Sequence, residues 1–428
     1  MLDIKFIRQN KDLVQDAVTH KKAASVDVDE LLRLDDERAK LQQQVDELNH
    51  RRNVAAKEKN IEEGKKLKAE AAALEENLRQ AEEKFRALLY RVPNVPSADT
   101  PLGADESENK VLRQVGEPPK FDFAPQDHLD LGIALGIIDQ ETAGKVSGSR
   151  LYYIKGRLAL LEFALIQFAY SILTNRQTLA EIIAKNKLEV SDTPFIPVVP
   201  PVFVKLEVAE KMARKDPLDD RYYLEKDGQI LIGSAEHTLG PMHMEHTFDE
   251  KDLPIRYAGF STAFRREAGS YGKDTRGIIR GHQFDKLEME SFTTPETGLA
   301  EQDLFVAIQE YLMQQLGIPY QIVAICTGDM GIPDARQLDL ESWMPGQGKY
   351  RETQTSDYMT DYQSRRLGTK VRREGGKAEF VHMNDATAFA IGRTLVAIME
   401  NYQRADGSIE VPAVLRKFAG FDEIPSSG

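Results

Sequence analysis

The chain of 428 residues has a single cysteine, Cys326. An intramolecular disulfide is therefore excluded, which suits a reducing compartment. No uncharged apolar run approaches the roughly 18 residues that a membrane span requires. The opening residues, MLDIKFIRQNKDLVQDAV, carry a charge every few positions, where a signal peptide needs an apolar centre. Positive charge is in deficit, with 56 Lys and Arg against 69 Asp and Glu, a net charge of −13. That balance disfavours general affinity for nucleic acid and leaves room only for a local basic patch. A phosphate-binding G-x-x-x-x-G-K-[ST] run is missing, since "GQGKY" at position 346 lacks the spacing, and so is H-E-x-x-H. A hydrophobic content of 41% with 29% charged residues is ordinary for a soluble globular protein. The expectation is a soluble, cytoplasmic protein of about two domains.

What is present begins with helices. Residues 3–22 place Ile4, Ile7, Val14 and Val18 at helical spacing. Leu34, Leu41, Leu48 and Ala55 then recur at heptad spacing, with Val45 between them. Further on, Leu67, Ala71, Leu74, Leu78, Ala81, Phe85, Leu88 and Val92 alternate steps of four and three. This is the seam of two coiled-coil helices. Asn60–Gly64 (NIEEG) is the expected hairpin turn between them. At ~1.5 Å per residue, each helix of about 30 residues gives an arm roughly 45 Å long. Arg51, Arg52, Lys57, Lys59, Lys65, Lys66 and Lys68 cluster at its tip against only Glu58, Glu62 and Glu63. Such an arm is a solvated structural or dimerising hairpin, or a lever whose basic end meets a phosphate backbone. The Pro- and Gly-containing stretch RVPNVPSADTPLGADESENK ends the coiled coil, and the boundary is placed near residue 110.

The remaining residues, 111–428, mix strands and helices. PFIPVVPPVFV, RYAGFSTAFRRE, HQFDKLEMESF and PYQIVAICTGDM read as strands, and Leu158–Leu173 and Leu299–Leu316 as helices. The lack of a regular βαβ rhythm points to an α+β fold. Within it, FRREAGSYGKDTRGIIRGHQFDKLEM (264–289) packs six Lys or Arg, four Asp or Glu and four glycines into 26 residues. On a strand over 282–292, Phe284, Lys286, Glu288 and Phe292 share one face, while Leu287 and Met289 take the other. On the preceding strand Arg265 and Glu267 share a face and Arg266 lies opposite. Arginine suits phosphate oxygens and Phe284 offers a flat face to a base. The connection Gly269–Gly281 reads as a loop able to close over a polyphosphate. An exposed, salt-bridged hairpin is the alternative meaning of the same residues. Arg393, inside the apolar stretch DATAFAIGRTLVAIM, requires an anionic partner, either an internal carboxylate or a ligand phosphate.

These residues resemble a known family. KVSGSRLYYIKG (145–156), PVVPPVFV (197–204), FRREAGSYGKDTRG (264–277), HQFDKLEM (282–289), CTGDMG (326–331) and GRTLVAIMENYQ (392–403) resemble, in order, the signatures of bacterial-type seryl-tRNA synthetases, class II aminoacyl-tRNA synthetases. The N-terminal arm is the family's other hallmark. The resemblance implies a helical hairpin, a tRNA-binding arm and linker over 1–110, and a catalytic domain over 111–428. That domain is an antiparallel six-stranded sheet flanked by helices, and the chain works as a homodimer with Pro201 at the interface. It implies ATP-dependent formation of seryl-adenylate and transfer of serine to tRNA(Ser), with tRNA(Sec) a further candidate. In this family Arg265, Glu267 and Arg393 are catalytic, with Arg265 at the α-phosphate, Glu267 at the adenine and Arg393 at the γ-phosphate end. Arg266, Phe284, Glu352, Thr353, Gln354 and Thr355 complete the ATP site, Phe284 stacking on adenine and Glu352 helping to hold Mg²⁺. Ser234, Ala235, Glu236, Glu288 and Thr387 form the serine pocket. Arg51, Arg52, Lys57, Lys59, Lys65 and Lys66 meet the tRNA.

Some stretches depart from the family's usual pattern. Glu352 is usually followed by I-S-S-C-S-N, whereas this chain has Thr353, Gln354, Thr355, Ser356, Asp357 and Tyr358. Where H-T-L-N is usual, it has His382, Met383, Asn384 and Asp385, and an ionised Asp accepts hydrogen bonds but cannot donate one. The triplet Ser234-Ala235-Glu236 stands for Thr-Ala-Glu. His237, His243, Glu245 and His246 crowd one stretch without the spacing of a known zinc motif. A paralogue that binds tRNA without charging it, and a ligase that loads a carrier protein, are the rival functions. The retained Arg265, Glu267, Glu288, Glu352 and Arg393 speak against the first, and the long arm against the second.

Overall fold

The computed structural model describes residues 1–23, 25–268 and 276–426. The chain divides into two compact units, residues 1–96 with 331–333, and residues 97–330 with 334–428. Residues 97–110, which the sequence groups with the arm, belong to the larger unit.

In the smaller unit the amphipathic stretch at the N-terminus is two helices, not one. α1 (Ile4–Gln9) and α2 (Lys11–His20) are separated at Asn10, whose backbone leaves the helical region at φ −128°. The arm is α3 (Val28–Lys57) and α4 (Ile61–Leu89). Asp27 caps α3 by accepting from the amides of Asp29 and Glu30, and Asn60 caps α4 by accepting from Glu63 N at 3.2 Å. The turn is therefore Glu58–Asn60, and Gly64 lies inside α4: the cap at Asn60 outweighs the glycine as a boundary signal. Leu34, Val45, Ala55, Leu67, Ala71, Leu78 and Ala81 are buried along the heptad seam.

The larger unit is built on one sheet. Its strands are β1 (Lys110–Val115), β2 (Ile196–Val198), β3 (Ile255–Phe264), β4 (Gln283–Thr293), β5 (Tyr320–Ala324), β6 (Arg336–Met344), β7 (Lys349–Thr360) and β8 (His382–Ala390). The hydrogen-bonded order is β1-β5-β6-β7-β8-β4-β3-β2. Six strands, β5 to β3 in that order, form an antiparallel core. β1 extends it antiparallel at one edge and β2 parallel at the other, which gives eight strands in all. Helices α5 (Arg157–Leu173), α6 (Gly298–Leu316) and α7 (Ile391–Asn401) contribute Leu161, Leu165, Phe168, Leu304, Ile308, Leu395 and Ile398 to the core around Leu287, Met289 and Phe389. α6 also donates from buried glutamines: Gln309 Nε2 reaches Thr355 O at 2.7 Å and Thr387 O at 2.9 Å, clasping β7 to β8.

Among the described residues no single helix is long and apolar enough to cross a membrane. One buried ion pair joins β3 to α6. The Arg256 guanidinium, fully buried, binds Glu301 through Nε and Nη2, and spends its remaining donors on Thr193 O at 2.6 Å and Ser191 O at 2.8 Å. Removing one partner of such a pair leaves an uncompensated buried charge. Glu301→Ala is expected to cost about 3–5 kcal/mol of stability, read by chemical denaturation. A loss under about 1 kcal/mol would show that the pair is dispensable.

Candidate active site

Strands β3 and β4 set the frame. Their register pairs Ala263 with Phe284, Ser261 with Lys286 and Gly259 with Glu288, so Phe284, Lys286 and Glu288 fall on one face of the sheet. β3 ends at Phe264, so Arg265 and Glu267 do not ride on the strand as the sequence suggests. They lie in the segment just beyond it, with Glu267 in the left-handed region at φ 56°. That turn still brings both side chains to the cleft while Arg266 points away, its guanidinium 5.3 Å from the Tyr222 ring. Residues Gly269–Thr275 of the connecting loop lie outside the described residues.

The cleft is lined by Arg265, Glu267, Phe284, Lys286, Glu352 and Arg393. The Arg265 guanidinium carbon sits 5.4 Å from the centre of the Phe284 ring, and Arg265 Nε donates to Gly233 O at 3.1 Å. Arg280 Nη1 donates to Glu267 Oε2 at 2.9 Å. Ile278, Ile279 and Gly281 make the opposing wall. That wall is pinned from below: Ile278 N donates to His128 Nε2 at 3.2 Å, and His128 Nδ1 lies 3.1 Å from Glu400 Oε1 at the end of α7. Gly277, at φ 77°, leaves no room for a Cβ, which would lie 1.9 Å from His128 Nε2.

β7 supplies the floor through an irregularity. Its register against β6 slips between Glu352 and Gln354, so Thr353 is an extra residue and Glu352 and Thr355, three apart, both reach the cleft, while Thr353 lines it with its hydroxyl turned to Ser342 Oγ at 2.8 Å. Gln354 and Tyr358 turn to the other side, where Gln354 Nε2 donates to Ala388 O at 2.7 Å and the Tyr358 hydroxyl lies 2.7 Å from His382 Nδ1. The bulk these residues add relative to the family pattern is thus taken up beneath the sheet. Arg393, on α7 and 19% exposed, has an internal partner: its Nη1 donates to Glu352 Oε1 at 2.6 Å and to Glu352 O at 3.1 Å. Burial alone would raise the Glu352 carboxyl, but Arg393, Arg265 and Lys286 hold it below the usual carboxylate range.

A second group of side chains meets at the inner end. Ser234 donates its hydroxyl to Glu288, Lys286 forms an ion pair with Glu288, and Lys286 Nζ lies 3.4 Å from Ser234 Oγ. Thr387 Oγ1 lies 3.3 Å from Thr355 Oγ1. Ala235 is buried, and Glu236 opens the short helix Glu236–Leu239 with Arg214 Nε 2.8 Å from its Oε1. Burial pushes Glu236 up, yet Arg214 and His237 hold it well below its ordinary value. Lys286, Arg280 and Arg214 were not singled out from sequence for this site. Lys286 alone carried a signal, its alternation with Phe284 and Glu288 along one strand.

His243 and His246 pack together on Phe248, their rings 5.8 Å apart, without a third ligand beside them among the described residues. His237 accepts from Gly233 N at 3.2 Å and is driven down to about 4, chiefly by burial, while His243 Nε2 lies 2.8 Å from the Tyr257 hydroxyl. Among the described residues no three His, Cys, Asp or Glu side chains form a metal cage. Beside Glu352, Asp339 and Glu341 face an adjoining cleft, and burial with carboxylate neighbours pushes both up. A crowded oxygen-donor set of this kind suits a hard cation held jointly with phosphates, which does not need an all-protein cage.

The sequence relationships agree with this geometry. A curated serine–tRNA ligase from Thermotoga neapolitana is 41% identical over 99% of this chain and 100% of the relative. The chain belongs to the seryl-tRNA synthetase family. The family model for the seryl-tRNA synthetase N-terminal domain matches residues 1–96, and that for the class II tRNA synthetase core domain (G, H, P, S and T) matches residues 221–402. Among solved structures, a Pyrococcus horikoshii seryl-tRNA synthetase complexed with ATP superimposes with a TM-score of 0.89 at 35% identity, covering 100% of both chains. A cytoplasmic serine–tRNA ligase from Naegleria fowleri in complex with AMP gives 0.85 at 30% identity, over 100% of this chain and 99% of the other. As in those relatives, the arm and the sheet occur here in one chain.

Behind Phe284 of this synthetase fold, Glu162 of α5 neighbours Asp285, and burial together with that carboxylate pushes Glu162 up to about 8. The folded protein therefore keeps a proton that the unfolded chain loses in the ordinary carboxylate range. Stability should fall as pH rises from there to about 8 and level off beyond it. Glu162→Gln should flatten that decline, measured by denaturation at about pH 5 and pH 8.5. An unchanged slope would place the proton elsewhere.

Proposed function

We propose that this chain activates L-serine with ATP and transfers it to tRNA(Ser). The observation that carries this reading is one cleft in which Arg265, Glu267, Phe284, Glu352 and Arg393 stand together, next to the Ser234–Glu288–Lys286 cluster. Its support is the family membership and the two relatives, one complexed with ATP and the other with AMP.

In the first step an oxygen of the serine carboxylate attacks the α-phosphorus. The bond to the bridging oxygen breaks and pyrophosphate leaves. Arg265 binds the α-phosphate and Arg393 the γ-phosphate end, so positive charge is fixed where negative charge grows. Phe284 stacks on the adenine, with Glu267 at its edge, Arg266 outside the cleft against Tyr222, and Thr353 and Thr355 along the floor. Gln354 supports that floor from the far side. Glu352, with Asp339 and Glu341 nearby, would hold Mg²⁺, which supplies charge neutralisation on the phosphates. Glu236 takes the serine ammonium, and Ser234, Ala235, Glu288 and Thr387 surround the hydroxyl. A site built on that hydroxyl rejects alanine by up to ~10⁴–10⁵-fold. In the second step a hydroxyl of the terminal tRNA adenosine attacks the seryl carbonyl and AMP leaves. No covalent enzyme intermediate is required, and no side chain here is arranged as a nucleophile. A catalytically silent paralogue would have no use for this set of paired charges.

The tRNA contact is proposed for Arg51, Arg52 and Lys57 on α3, Lys59 at the turn, and Lys65 and Lys66 on α4. Division of labour follows: residues 1–110 bind tRNA and 111–428 carry the chemistry. A homodimer is supported by the exposed apolar residues Ile196, Val199 and Phe203 flanking Pro201 in the chain, with Leu160 and Phe163 exposed on α5, and its mass in solution by light scattering tests it. A cytoplasmic location fits the lone buried Cys326.

ATP–pyrophosphate exchange with serine, threonine, alanine and glycine offered separately tests the activity. Exchange should be strong with serine alone and be lost on chelation of Mg²⁺. Arg265→Ala should lower it by about 10²–10³-fold in folded protein, whereas wild-type-like exchange would sink the phosphate assignment. Changing Arg51, Arg52, Lys57 and Lys59 together to Gln should weaken tRNA binding and flatten its dependence on salt by up to about four contacts' worth. An unaltered slope would move the RNA contact off the arm.

A further inference from the structure

The sheet face that floors the cleft continues beyond the residues that line it. In one cross-strand row Glu288 of β4 faces Thr387 of β8, which touches Thr355 of β7. In the next row Glu290 faces Asp385, and Asp385 faces Asp357. All three carboxylates are buried, and neither oxygen of Glu290 has a hydrogen-bond partner among the described residues. Like charges directly opposite one another on a sheet repel, and burial makes the repulsion costlier.

Arg214 is the cation that reaches this row. It contacts Glu236 at 2.8 Å, and its Nη2 lies 3.3 Å from Asp385 Oδ2 and 3.9 Å from Asp334 Oδ1. The same guanidinium thus touches both the acidic row and the carboxylate assigned above to the serine ammonium. We propose that Arg214 is the positioning residue of the amino-acid pocket: by bridging Glu236 to the Asp385–Asp357 row, it orients Glu236 and sets the charge of the pocket floor. This rests on the functional reading given above.

The electrostatics follow the geometry. Burial pushes Glu290, Asp357 and Asp385 well above the usual carboxylate range, with neighbouring carboxylates adding to it. Despite its burial, Glu236 is instead held well below its ordinary value, by Arg214 first and His237 next. Protons therefore collect on the row and negative charge on Glu236, where an ammonium is to be bound. A protonated Asp385 offers one donor and one acceptor, as an Asn would. Without Arg214 the buried carboxylates Glu236 and Asp385 lose the cation they share, and Glu236 loses the partner that fixes its orientation.

The test is ATP–pyrophosphate exchange on the full chain, comparing wild type, Arg214→Met, Asp385→Asn and the double variant. Arg214→Met is expected to raise the KM for serine about tenfold or more while the KM for ATP stays within about twofold. The double variant is expected to recover part of that loss, so that the two effects are not additive. An unchanged serine KM in Arg214→Met, an equal rise for ATP, or strict additivity would overturn the proposal. If Arg214→Met does not fold, Arg214→Lys with and without Asp385→Asn reads the same split and the same coupling. Failure of the functional reading is told apart at the outset, since wild type would then show no serine-dependent exchange.

Discussion

Charge buried on one face of an antiparallel sheet must be balanced within a few ångströms, because the interior screens it poorly and water cannot reach it. The larger unit meets that demand repeatedly along the same face. Arg393 is matched by Glu352, Arg280 by Glu267, Lys286 by Glu288, and Arg214 by Glu236. These pairs hold side chains in place before any substrate arrives. A phosphate can compete for the arginines and an ammonium for the carboxylates without large rearrangement. Preorganisation of this kind is how a site with no nucleophile of its own can speed a phosphoryl displacement.

Backbone irregularity decides which side chains take part. A strict alternation along β7 would give the cleft every second residue, but the extra residue at Thr353 lets Glu352 and Thr355, three apart, both face it. The cost of the irregular ladder is offset from behind, where Gln309 of α6 donates to the carbonyls of Thr355 and Thr387. The left-handed turn at Glu267 acts likewise, returning that carboxylate to the cleft after β3 has ended. Substitutions relative to the family pattern are absorbed by the same logic. Gln354 and Tyr358 go beneath the sheet, while Asp357 and Asp385 stay on the working face, and Arg214 answers them.

Much of this was legible in the residues. The heptad steps from Leu34 to Val92 gave the arm, and the alternation of Phe284, Lys286 and Glu288 gave the face of β4. Arg393 announced an anionic partner, and within the protein Glu352 is one such partner. Boundaries were less legible. The turn fell at Glu58–Asn60 and not over Asn60–Gly64, because the Asn60 cap can start a helix that a later glycine does not stop. Asn10 split a periodic stretch into α1 and α2 although the apolar spacing ran through it unbroken.

The sequence by itself determined the periodicities, the residue types available for phosphate, base and ammonium, and the family signatures, since each of these is a local property of the chain. Only the tertiary structure decided that Arg214, Glu236, Asp334, Asp357 and Asp385 form one charge-balanced group. Their meeting depends on strand register and on an arginine from a segment with no periodic pattern of its own. Contacts between residues far apart in the chain follow from which strands pair, and that pairing is fixed by the burial of the whole sheet, not by any single stretch.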